Sequence, residues 1–292
     1  MRRILKWLVI GVLGLVVVLA AAAAVLAFRG NSRMTREYTV EPAPVAMAQN
    51  EAAVARGQYL ASYGCVGCHG DDLGGKIMLS DPGLGTITAP NLTAGAGGIG
   101  GTYSDTDLVR AIRHGVDKEG QPLAIMPASS FWHYSDEDLA AVIAYLRSVP
   151  AVDNDPGQRK LGPLGLVMVG AGVMDILSVE VIDHDGPRPV YTSDSSYGEY
   201  LVNTSDCRNC HGADLSGGST GEPGAPPAAD LASVKGWTQA EFLAAIRTGV
   251  TPDGRQLNPA FMPWPEYARM TDEDLATLYD YLSNPTVTVG AN

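Results

Sequence analysis

One five-residue pattern occurs twice in this chain and constrains it more than any other feature: Cys65-Val66-Gly67-Cys68-His69 and Cys207-Arg208-Asn209-Cys210-His211. C-x-x-C-H is the attachment signature of c-type haem. Two thiols three positions apart each add to one vinyl group of a porphyrin, and the histidine that follows stands beneath the iron as proximal ligand. Cys65, Cys68, Cys207 and Cys210 are all the cysteines of the chain, so none remains for a disulfide or a Cys₄ cluster. A zinc site would want further ligands at finger-like spacing, and a redox dithiol a βαβ context. The sequence offers neither. It calls for two covalently bound haem c groups, with His69 and His211 on the irons.

The N-terminus places these groups relative to a membrane. Arg2, Arg3 and Lys6 precede an uncharged run from Trp7 to Phe28, and Arg29 follows it. As a helix that run covers about 33 Å, enough to cross the hydrocarbon core of a bilayer. Cations ahead of it predict a cytoplasmic N-terminus and an exported, periplasmic remainder. Val25-Leu26-Ala27 would also serve as a signal-peptide cleavage site, but the run exceeds the usual signal length and a retained anchor is expected. The net charge of −12, with no basic patch, argues against nucleic acid. Acidity of this kind steers toward basic partner surfaces or simply maintains solubility.

Laying the second half on the first reveals a tandem repeat. Gly57-Gln58-Tyr59-Leu60 answers Gly198-Glu199-Tyr200-Leu201, Ala111–Val116 answers Ala245–Val250, and Ser135–Ala140 answers Thr271–Ala276. Expected helices are one over about 51–63 that delivers the first motif, one capped by Ser104 with Asp107, and one capped by Ser135 with Asp138 and stopped at Pro150. A Gly-rich loop separates the first two. The second unit repeats this with Thr238/Glu241 and Thr271/Asp274, ending before Pro285. Gly57 and Gly198 read as close-approach points against the terminal helices near Tyr145 and Tyr281. The expected fold is all-α: an anchor at 1–30, a linker at 31–50, tandem haem-binding domains at 51–152 and 193–292, and a connector at 153–192. The apolar stretch Leu161–Val173 is too short to span a membrane and reads as a connector packed on a surface, or as a partner-subunit groove.

Each iron needs a distal ligand. Met126-Pro127 and Met262-Pro263 occupy equivalent places nine residues before the Ser135 and Thr271 caps, which favours them over gap-filling core methionines. Met78, His114 and His133 have no like counterpart in the second unit, and His184 lies in the connector. Arg113 and Arg247, also paired by the repeat, are candidates to neutralise propionates, with Tyr103 and Trp237 as hydrogen-bond donors. Solvated surface or ordinary packing is the alternative for all four.

The order Ala89-Pro90-Asn91-Leu92-Thr93, Gly98-Ile99-Gly100, Ile112-Arg113-His114-Gly115, Met126-Pro127 and Ser135–Leu139 resembles the haem-c subunits of membrane-bound bacterial alcohol and gluconate dehydrogenase complexes. The resemblance implies cytochrome c-like α-folds with His/Met haems that pass electrons from a dehydrogenase or quinol pool onward. Three haem motifs and an anchor at the other end are usual there, against two motifs and an N-terminal segment here. The second unit has Pro226-Pro227-Ala228-Ala229-Asp230-Leu231 in place of Asn-Leu-Thr. An electron-transfer protein is therefore expected, alone or as a subunit of a respiratory or photosynthetic complex. The alternative is a dihaem enzyme of peroxidase or thiosulfate-oxidising type, which would need a labile distal ligand or a cysteine ligand.

Overall fold

A computed structural model describes residues 2–189, 197–220 and 224–284. The apolar N-terminal run folds as helix α1 (Arg2–Met34), fully exposed along its apolar window and four residues longer than expected. Its last turn belongs to the first unit. Met34 and Val40 are buried with Val116, Val169, Leu177 and Val179 in a small core of their own.

In the first unit Asn50 caps α2 (Glu51–Gly64), accepting the Ala53 amide, and the chain re-enters at once as α3 (Val66–His69). The expected Gly-rich loop then contains a hairpin, β1 (Lys76–Asp81) and β2 (Gly85–Ala89), with a bulge between Ile77 and Leu79. Helix α4 (Asp105–His114) carries the Ser104/Asp107 capping box, and a short α5 (Ala128–Phe131) follows Met126-Pro127. Ser135 caps α6 (Asp136–Ser148), whose Leu139, Val142, Ile143 and Leu146 are buried as the stripe predicts. In the connector, β3 (Lys160–Leu161) adds an antiparallel third strand to β2, and α7 (Pro163–Gly170) begins with proline in its first turn. The fold is thus mostly helical with one small three-stranded sheet, and all-α is corrected to that extent. Alternation in Thr86-Ile87-Thr88-Ala89 after a Pro-Gly turn is the hairpin's sequence signal.

Among the described residues, the second unit repeats the helices without the sheet. Its elements are α8 (Tyr197–Thr204), α9 (Cys207–His211), α10 (Gln239–Thr248) with the Thr238/Glu241 capping box, α11 (Trp264–Tyr267) after Met262-Pro263, and α12 (Asp272–Ser283) capped by Thr271. Pro285, expected to stop α12, lies outside the described residues. Gly57 and Gly198 are the contact points foreseen. A Cβ on Gly57 would lie 1.9 Å from the Ala141 carbonyl oxygen and 2.9 Å from Tyr145 Cβ, and one on Gly198 would lie 2.5 Å from Tyr281 Cβ. Helix α2 therefore crosses α6 backbone to backbone, and α8 crosses α12 in the same way.

The two units pack through an exchange of equivalent groups. The Tyr59 hydroxyl donates to Asp274 and accepts the Thr271 amide at 3.0 Å. In the mirror contact the Tyr200 hydroxyl donates to Asp138 at 2.5 Å and accepts the Ser135 amide at 3.4 Å. Tyr59 and Tyr200 are the same repeat position, as are Asp138 and Asp274. The haem motifs lie at this junction: Ser130 of α5 donates to Asp206 beside Cys207, and the Glu266 side chain of α11 packs on Gly67. Two units related by a two-fold operation make contacts of this kind.

Candidate haem sites

A cavity of about 680 Å³ opens in the first unit, lined among others by Cys65, Cys68, His69, Met126, Tyr103 and Arg159. That volume is within the range of cofactor sites. The sequence folds this way because α2 delivers the motif at its C-terminal end, while α4, α5, α6 and the sheet supply apolar walls such as Ile87, Leu108, Ile112, Phe131 and Val142.

The orientation of the histidine decides what the cavity can hold. His69 is 7% exposed, and its Nδ1 donates to the Pro90 carbonyl at 2.8 Å. That bond puts the proton on Nδ1 and leaves Nε2 as a lone-pair donor, the tautomer a metal needs. His211 repeats it, with Nδ1 donating to the Ala229 carbonyl at 2.8 Å. Burial lowers the pKa of His69, which keeps the ring neutral and able to ligate. Pro90 is held by its neighbour Asn91, which is fully buried and donates to the Val152 and Asn154 carbonyls at 2.6 and 3.0 Å. The second unit has no such Asn-Leu-Thr, yet the Ala229 carbonyl takes the same part. Burial pushes the Cys65 and Cys207 thiols up to about 12. A dithiol redox centre needs the opposite shift.

Met126 lies on the cavity wall in a segment clamped on both sides by the connector. The Ile125 amide donates to the Ile176 carbonyl at 2.8 Å, and Ser178 Oγ donates to the Met126 carbonyl at 2.8 Å. Ile125 has φ +65°, a left-handed conformation that is an outlier for a β-branched residue. In the second unit the Trp264 amide donates to the Met262 carbonyl at 2.7 Å, matching Ala128 to Met126 at 2.8 Å. Among the rival ligands, Met78 on β1 also lines the cavity. His114 is buried instead against His184, Nδ1 to Nδ1 at 3.0 Å, with Trp132 edge-on.

The four propionate candidates separate. Tyr103 lines the cavity, and burial raises its phenol to about 12, so it is a neutral donor. Arg113 is 1% exposed and does not line the cavity. Its guanidinium pairs with Asp136 at 2.9 Å and donates to the Tyr134 carbonyl at 2.9 Å. Arg247 pairs with Asp272, the equivalent first residue of α12, at 2.6 Å and donates to the Ala268 carbonyl. The repeated arginines thus share a structural partner, the carboxylate that opens the last helix of each unit. Trp237 packs against the core and accepts the Tyr279 hydroxyl on its carbonyl at 2.6 Å.

Arg159 is the cavity residue that sequence reasoning missed. It comes from the connector, donates to the Pro122 and Met34 carbonyls, and forms no ion pair among the described residues. A half-buried guanidinium at the wall of this cavity, near Asp117 but in no ion pair with it, suits a propionate. Its only sequence signal was a cation beside Lys160 at the start of β3.

The cytochrome c family profile matches residues 54–150 and 195–285, nearly two thirds of the chain and both repeat units. The chain belongs to the cytochrome c family. It carries covalently bound haem c, one group in each matched segment, and is an electron-transfer cytochrome. Among curated relatives, the gluconate 2-dehydrogenase cytochrome c subunit of Pantoea cypripedii is 42% identical over 102 residues, 33% of this chain and 23% of the relative. The cytochrome c subunit of the quinone-dependent alcohol dehydrogenase of Gluconacetobacter polyoxogenes is 30% identical over 179 residues, 56% of this chain and 36% of the relative. The fructose dehydrogenase cytochrome subunit of Gluconobacter japonicus is 28% identical over 228 residues, 74% and 45%. This cytochrome spans less than half the length of each.

Proposed function

We propose that this cytochrome is a membrane-anchored dihaem relay that takes electrons from a dehydrogenase or quinol-oxidising partner and passes them to a downstream acceptor on the periplasmic side. In this reading His69 and Met126 hold the first iron, and His211 and Met262 the second. The observation that carries it is the paired orientation of the two imidazoles, each with Nδ1 spent on a backbone carbonyl and Nε2 free. When bound, haem c supplies a one-electron couple, and methionine ligation sets it toward higher potential. Around it the chain excludes water with Leu108, Ile112, Phe131 and Val142, holds the imidazole tautomer, and fixes the thioether segment through Ile176 and Ser178. Tyr103 and Arg159 would meet the propionates. Were Met126 and Met262 to complete the two iron sites, neither would keep a position for substrate, which is the condition of outer-sphere transfer and not of peroxidase or thiosulfate chemistry.

Retention of the anchor is supported by the contact of Leu26, which lies ahead of the cleavage point, with Gly170 of the connector; the end of α1 beyond that point is also built into the first unit. Arg33 pairs with Glu180 and with Asp175, the latter at 3.3 Å, and donates to the Val169 carbonyl at 2.5 Å. The relatives named after dehydrogenases favour a dehydrogenase as donor. Met126→Ala and Met262→Ala test the ligand assignment. Each should free one iron to bind carbon monoxide when reduced and lower one of two midpoint potentials. Unchanged spectra and potentials in either variant would strike that methionine from the ligand set.

A further inference from the structure

Resting on the retained-anchor reading, the connector is placed at the level where the membrane ends. A Cβ on Gly30 of α1 would lie 2.0 Å from the Leu166 carbonyl oxygen, and one on Gly170 would lie 1.9 Å from the Leu26 carbonyl oxygen. Only two glycines permit so close a crossing of α1 and α7. The contact at Leu26 and Gly30 brackets Arg29, the charge that closes the apolar run. Helix α7 therefore lies against the last turn that lipid can cover. From Leu161 to Met174 the connector carries no charge, and it is flanked by Lys160 and Asp175. Leu164 is 52% and Val173 54% exposed. The turn of the β1–β2 hairpin backs α7 on another side: Gly83 faces the Leu164 side chain and Leu84 faces Gly165.

We propose that residues 161–174 form a second, monotopic membrane contact that rests in the headgroup and acyl boundary of the outer leaflet. Continuity names the occupant, because the exposed apolar residues of the connector adjoin α1 at the turn where its own apolar run ends at Arg29. An apolar segment beside a spanning helix gains free energy by burial in that boundary. The consequence is orientation. The connector that clamps Met126 through Ile176 and Ser178, and supplies Arg159 to the cavity, is the same piece that lies on the lipid. The first unit is thus held at a fixed height and tilt.

The test uses the full-length holoprotein, one copy per lipid nanodisc, with a phospholipid bearing a photoactivatable diazirine high on its acyl chain. Peptide mapping should find adducts on 161–174 at a yield within threefold of those on residues 24–30. In the Leu164→Asp, Val173→Asp double variant the connector adducts should fall at least tenfold, with the α1 adducts and the content of two haems per chain unchanged. Adducts confined to α1 would overturn the proposal, whether the connector is bare to water or covered by protein. Intact mass separates this from failure of the anchor reading, since a cleaved chain would lack the residues before Phe28.

Discussion

Replacing Gly57 by alanine inverts the usual sign of a glycine-to-alanine change in a helix. Position 57 lies in the middle of α2, where alanine is better than glycine by about 1 kcal/mol on intrinsic preference. The structure opposes that gain. The new methyl would sit 1.9 Å from the Ala141 oxygen and 2.4 Å from its carbonyl carbon, where ordinary contact begins at 3.4 Å. These are backbone atoms of α6, so no side-chain rotation relieves the clash, and the helices must separate by about 1.5 Å. Overpacking of this size costs roughly 1–3 kcal/mol and occasionally more. A net loss of up to about 2 kcal/mol is expected, with the motif-bearing end of α2 shifted from the cavity wall. Unit-resolved hydrogen exchange should show faster opening of α2 and α6 while α8 and α12 keep their protection. Gly236→Ala, which meets no heavy atom within 4 Å, is the matched control. If Gly57→Ala is as stable as the parent or more so, the backbone-to-backbone crossing is not the arrangement in solution.

Three further outcomes follow from the geometry. Arg159→Gln should lower the potential of the first haem alone in a redox titration, because it removes a cation from that cavity. Equal shifts at both haems, or none, would refute the placement. Burial beside His184 depresses the pKa of His114 to about 4, so between pH 6.5 and 4 the unfolded chain binds a proton that the native chain refuses. Stability should therefore fall across that window by up to about 3 kcal/mol, and His114→Gln should flatten the slope in denaturant titrations; an unchanged slope would count against it. Tyr59→Phe and Tyr200→Phe should each loosen the junction of the units by about 1.5–3 kcal/mol, the scale of a hydrogen bond to a charged group. A junction unchanged in both, measured by exchange at α6 and α12, would contradict the contact pattern.

The sequence carried the helices, their caps and the tandem order because each is written in local chemistry. Ser104, Ser135, Thr238 and Thr271 announce themselves by the acid three residues on, and the glycines at 57 and 198 by their cost in a helix. The hairpin escaped because Lys76–Ala89 sits in a glycine-rich stretch whose short alternation is hidden by a bulge at Ile77–Leu79. The partners of Arg113 and Arg247 escaped for another reason. A buried arginine pairs with whichever carboxylate the fold brings near, and Asp136 is 23 positions away in sequence. Repetition shows that the two arginines do the same thing without saying what. Arg159 was invisible because its role exists only once β3 has paired with β2 and carried the connector over the cavity.

The reciprocal tyrosine and aspartate contacts have a historical consequence. Each half presents one phenol and one carboxylate to the other, which is what two identical subunits do across a rotation axis. The polypeptide is in effect a tethered homodimer, and the tether holds its halves at a high effective concentration. Freed from having to find one another, the halves could drift apart in sequence. One half now carries the connector arm and the sheet, while the described residues of the other form a helical module.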